Sequence, residues 1–157
     1  MNRLPRVFLL SVIPAVALAS CLVASLAPAL AQGNSVATWA GQYRCAQGLT
    51  GLILTVSTDT SGQARALFDF HSILENPTLP EGCFEMSGTV TGRHLVLQPG
   101  AWRRHPQGYV TVGLTGDFGA DGRLAGSVDW PGCTSFSLSR VTTPQAVGPM
   151  ACSGAIS

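Results

Sequence analysis

From Trp39 to Arg140 the chain runs through eight short stretches in which apolar and polar residues alternate, each closed by turn-forming residues. This period of two constrains the fold more than anything else, because in a strand successive side chains point to opposite faces. The stretches are about 38–45, 50–57, 64–70, 84–90, 94–98, 109–118, 124–130 and 134–140. Thr60-Ser61-Gly62, Thr91-Gly92-Arg93, Gly119-Ala120-Asp121-Gly122 and Pro131-Gly132 are turns. No helical stripe and no internal repeat is present. Consecutive strands with one apolar face each predict an all-β fold. The first expectation is an eight-stranded antiparallel up-and-down β-barrel, in which closure removes the sheet edges. A two-sheet β-sandwich fits the same alternation.

The first fifth of the chain stands apart. Met1–Arg6 carries two arginines, Val7–Ala31 has no charge, and Ala29-Leu30-Ala31 has the small-residue spacing of a signal-peptide cleavage site. The reading is residues 1–31 as a cleaved signal peptide, 32–37 as a loose leader, 38–140 as the barrel and 141–157 as a C-terminal tail. Leu18-Ala19-Ser20-Cys21 resembles a bacterial lipobox, so a lipoprotein anchored through Cys21 is the alternative. Both place the protein outside the cytoplasm, in the periplasm or secreted, with no stable membrane span after cleavage.

Four cysteines follow the leader: Cys45, Cys83, Cys133 and Cys152. An even number in a small exported domain predicts two disulfides. Three pairings are possible; a closed meander, which puts strand one beside strand eight, would bring Cys45 to Cys133 and leave Cys83 for Cys152. All basic residues are arginines, and the net charge of +1 supplies no basic surface for nucleic acid.

A meander also sorts its connections by end. Short turns at 58–62, 91–93 and 119–122 share one end. The connections 46–49, 71–82, 99–108 and 130–133 share the other, so the longer loops form a rim there. Long loops in small domains tend to be functional. The candidate binding residues are His71, Glu75, Trp102, Arg103, Arg104 and His105. Trp and Arg anchor many protein interfaces, and paired arginines grip carboxylates or phosphates. The alternative for Trp102 is to fold back and plug the mouth. The inward aromatic residues suggest a mostly filled core.

Trp39 near the start of the first strand and Arg140 at the end of the last resemble the layout of the calycins, the lipocalin and avidin type of barrel. The order here is Trp-x-Gly instead of the lipocalin Gly-x-Trp. The resemblance implies that Trp39 packs under Arg140 and closes one end. Residues 39–140 are also similar to uncharacterised secreted bacterial domains with a Trp-x-Gly-x-Tyr-x-Cys start, an Ala-Gln-Gly turn and a Cys-…-Phe-x-Leu-x-Arg end.

No nucleophile motif is present, and no residue is assigned as catalytic, as a metal ligand or as cofactor-binding. His71 and His105 with Glu75 or Glu81 could hold a metal only if the loops converge, and Asp69 with Glu85 is the one candidate carboxylate pair. The expectation is a non-enzymatic module that binds an envelope or extracellular protein, as an inhibitor or accessory factor. A small-ligand barrel is the alternative, and a metal-dependent hydrolase the remote one. An apolar cavity under the rim loops would favour the small ligand. A solid core with Trp102 and Arg103 exposed would favour the protein partner.

Overall fold

The structure, a computed structural model, describes residues 34–142 and Cys152. The segments assigned to the signal peptide and to Cys21, and most of the tail, lie outside these residues. The described chain is a closed barrel of eight antiparallel strands in sequence order. The strands are β1 (Ser35–Cys45), β2 (Gly48–Thr58), β3 (Gln63–His71), β4 (Gly82–Thr91), β5 (His94–Arg104), β6 (Gly113–Phe118), β7 (Arg123–Asp129) and β8 (Ser135–Arg140). Closure is made by β1 on β8, with Trp39 opposite Arg140 and Tyr43 opposite Phe136.

The alternation carries through to burial. Leu52, Leu54 and Val56 of β2, Ala66, Phe68 and Phe70 of β3, Phe84 and Met86 of β4, and Leu95 and Leu97 of β5 all join one core. Cys45 is linked to Cys133 and Cys83 to Cys152, the connectivity expected of the meander. The first bond staples the end of β1 to the chain entering β8. Two disulfides are the usage of an oxidising compartment outside the cytoplasm. Among the described residues no helix is long and apolar enough to cross a membrane.

Three strand boundaries differ from the sequence reading. β1 begins at Ser35, within the stretch read as leader. β5 does not stop at 98 but runs through Pro99 and Gly100 to Arg104, so Trp102, Arg103 and Arg104 lie on a strand and not in a loop. β6 begins only at Gly113, leaving 109–112 irregular. Pro99 is tolerated because β5 beyond Leu97 pairs with β4 alone; its pairing with β6 ends at Leu97.

The glycines on inward faces do not leave space. A side chain on Gly88 would run into the backbone of Val96 and Leu97, and one on Gly126 into that of Thr115 and Gly116. Neighbouring strands approach so closely there that backbone fills the position. Gly126→Ala is therefore expected to destabilise the barrel by about 1–3 kcal/mol, the usual cost of overpacking, read as a lower urea midpoint at unchanged slope. Replacing Cys45 and Cys133 together by alanine is expected to cost about 2–5 kcal/mol on the same assay.

The β2–β3 turn rests on Asp59. Its Oδ1 accepts hydrogen bonds from Ser61 N–H at 2.8 Å, Ser61 Oγ at 2.7 Å and Gln63 N–H at 2.9 Å. The Ser61 hydroxyl, followed by these amides, holds the carboxyl below the usual carboxylate range. A depressed folded-state pKa adds stability that is present above the unfolded value and is lost as pH falls through the folded one. An NMR titration should place Asp59 below the usual aspartate range, and Ser61→Ala should move it back up.

Candidate ligand-binding mouth

The two ends of the barrel are built differently. At the end with short turns, Trp39 packs on Phe118 with ring centroids 5.2 Å apart, and the Arg140 guanidinium lies 5.8 Å from the Trp39 ring centroid. An arginine over an indole face is a cation–π contact, and it closes this end. Between here and the middle, the interior holds Leu54, Val56, Leu95, Leu114, Leu124 and Leu138, all buried.

Towards the looped end the side chains become aromatic. Phe68 stacks on Phe84 at 4.6 Å, Tyr43 meets Phe68 edge-on at 5.2 Å, and Phe70 stacks on Tyr109 at 5.4 Å. Large flat rings at van der Waals separation do not fill the widening mouth. A cavity of about 290 Å³ remains, bounded by Tyr43, Phe68, Phe70, Phe84, Tyr109 and Val112. The Cys45–Cys133 disulfide, Gln47 and Trp130 line its entrance. The core is thus full at the closed end and open at the other, where the sequence suggested a mostly filled interior.

Trp102 reaches this region because of β5's irregularity. Met86 pairs with Pro99, Phe84 with Trp102 and Cys83 with Arg104, so β5 carries extra residues against β4. Such bulges shift the inward and outward parity. Trp102 turns inward and meets Phe84 at 5.1 Å and Phe70 at 6.3 Å, while His105 stacks on its ring at 4.4 Å. The indole is half-buried and packs against the core behind Phe84 and Phe70, outside the residues that line the cavity. Arg103 and Arg104 point outward and are engaged. Arg103 Nε donates to Glu85 Oε1 at 2.8 Å, and Arg104 Nη1 to Glu81 Oε2 at 3.3 Å.

The remaining rim residues do not converge. His71 lies outward on β3 beside Gly51, where its ring covers the glycine. Glu75 is exposed in the 72–81 loop, which is pinned by Asn76 Nδ2 donating to the Gln47 carbonyl at 2.8 Å. His105 Nε2 sits 2.9 Å from the Tyr109 carbonyl. Among the described residues no group of three His, Cys, Asp or Glu is placed to hold a metal. Asp69 and Glu85 do not act as a solvated pair. Asp69 is buried and its Oδ2 accepts from the Cys152 N–H at 3.2 Å, while Glu85 faces Arg103.

Tyr109 is the principal site residue that pattern reading missed. Strict alternation over 109–118 would put Val110 on one face with Val112 and Leu114, and Tyr109 on the other. The structure has Tyr109 on Phe70 and Val110 49% exposed. With 109–112 outside any strand, parity carries no information there.

The polar atoms of the mouth are few. Gln47 Nε2 donates to the Tyr43 hydroxyl at 3.2 Å, while the Thr50 hydroxyl donates to the Gly48 carbonyl at 3.4 Å. Burial pushes the phenols of Tyr43 and Tyr109 up, and proximity to Tyr109 raises Tyr43 further. Both stay neutral. Comparison with protein-family profiles, curated proteins and solved structures finds no match for this chain. The fold and the mouth therefore carry the functional argument: this is a small all-β barrel closed at one end and open, aromatic and uncharged at the other.

Trp102→Ala is expected to destabilise by about 3 kcal/mol, the low end for truncating a packed aromatic. Arg103→Ala is expected to cost about 1 kcal/mol or less, as for other partly exposed ion pairs. Chemical denaturation of the two variants side by side checks the difference.

Proposed function

We propose that this protein is a non-enzymatic, extracytoplasmic binding module that holds a small, mainly apolar molecule in the open mouth of its barrel. The observation that carries this reading is the cavity of about 290 Å³ walled by Tyr43, Phe68, Phe70, Phe84 and Tyr109. Its volume sits at the lower edge of the range for small-molecule sites, and its lining follows their usual composition, mostly apolar with a few converging polar groups. The packing of Trp102 on Phe84, and the pairing of Arg103 with Glu85, weigh against these residues as a free protein-binding patch.

A second reading keeps an envelope protein as partner, bound as an inhibitor or accessory factor binds. What supports it is the apolar rim: Leu74 is 96% exposed and Trp130 47%, both in loops at the mouth end. Exposed aromatic and aliphatic groups around a concave site serve either role.

The test uses an uncharged, polarity-sensitive fluorophore and the disulfide-bonded protein. Ala46 is exposed at the entrance, so Ala46→Trp obstructs the mouth without touching the core. The wild-type protein should bind the dye with a blue shift, and Ala46→Trp should weaken binding at least tenfold at unchanged melting temperature. Equal binding by both proteins, or none by the wild type, rejects the mouth as the site.

A further inference from the structure

The chemistry of the cavity wall narrows the ligand class. Resting on the mouth reading above, we propose that the ligand is an uncharged, flat molecule of about two fused rings, bearing one hydrogen-bonding group that is read by Tyr43 and Gln47.

Charge is decided by the lining. Among the residues bounding the cavity none is Asp, Glu, Arg or His. Arg44, between the lining residues Tyr43 and Cys45, is exposed, and Arg103 and Arg104 on β5 face outward to Glu85 and Glu81. The two phenols remain neutral because burial raises them. An ion entering this space would lose water and find no counter-charge, a cost of several kcal/mol at the least.

Shape and size follow from the rings. Phe68 with Phe84, and Phe70 with Tyr109, are two near-parallel pairs, each tilted by 17°. They leave aromatic surface facing the cavity on two sides. A flat ring can meet such surfaces offset-stacked or edge-on, at centroid distances of about 4.5–7 Å. An apolar cavity of ~150 Å³ accommodates one benzene. The present volume of about 290 Å³ is near twice that, which is room for two fused rings.

The polar mark is local. The Tyr43 hydroxyl accepts from Gln47, and the Tyr109 phenol is close enough to perturb it. Gln47 uses one N–H on Tyr43, and a primary amide has a second N–H and a carbonyl besides. A ligand hydroxyl or ring N–H in this corner finds both a donor and an acceptor. A bare hydrocarbon would displace water from the amide and give nothing back.

Three probes of one shape separate the claims: 2-naphthol, naphthalene and 2-naphthoate, each titrated by calorimetry or by displacement of the fluorophore at neutral pH. The expected order is naphthol at least tenfold tighter than naphthalene, with naphthoate weakest by a further tenfold. Tyr43→Phe should bring naphthol down to the level of naphthalene and leave naphthalene unchanged. Gln47→Leu should do the same, and it serves if Tyr43→Phe fails to fold. Naphthoate binding as tightly as naphthol overturns the neutral class while the mouth reading stands. A naphthol advantage that survives both substitutions overturns the Tyr43–Gln47 assignment. Silence from all three probes while the fluorophore binds overturns the ligand class alone; silence from all four overturns the mouth reading with it.

Discussion

Everything in this molecule depends on the closure of β1 against β8. A strand at a sheet edge leaves a row of backbone donors and acceptors unpaired, and a barrel removes both edges in one step. Here the closing seam is short: five register pairs from Trp39–Arg140 to Tyr43–Phe136. It joins segments almost a hundred residues apart, so its chain-entropy cost is met by more than ladder hydrogen bonds. Trp39 under Arg140 reinforces the seam at one end, and the Cys45–Cys133 bond reinforces it at the other. The same two devices make the ends unequal. An indole stacked on Phe118 stops one end, while a disulfide at the edge of the other leaves it open.

Strand order, closure and disulfide pairing were legible in the sequence because each follows from periodicity and chain connectivity. Alternation at Leu52, Leu54 and Val56 or at Ala66, Phe68 and Phe70 reports a face directly, and every interior assignment in those strands matches the burial. The misreadings cluster where the period fails. Pro99-Gly100 reads as a loop, yet it lies in a stretch of β5 bonded on one side only, where a missing N–H is cheap. The bulges that follow reverse parity, which is why Trp102 faces in and Arg103 faces out.

The cavity was illegible for a different reason. A count of inward aromatic residues suggests fullness, but whether space remains depends on how the rings tilt against one another and on how far the strands splay. Small residues on the inward faces do not report space either: a side chain on Gly88 or Gly126 would meet backbone of the adjoining strand. Pattern identifies which residues face inward; the shape enclosed by them is a property of the packed barrel.

The mouth wall is uneven in its support. β1 to β4 are bonded on both sides up to the rim, whereas β5 above Leu97 is bonded to β4 alone, and 109–112 carries no ladder. Trp102 and Tyr109 both belong to this thinly supported sector, and both touch Phe70. The ion pairs Arg103–Glu85 and Arg104–Glu81 lie on its outer surface and cross from β5 to β4 or the chain entering it. Partly exposed pairs of this kind contribute little stability. They tie the outer face of β5's extended end to β4 and to the chain entering it. Regions with few backbone bonds and few neighbours open at the lowest free energy. The side of the barrel that carries Trp102 and Tyr109 is therefore the less tightly held one, whereas Phe68 and Phe84 each have a register partner on both flanks.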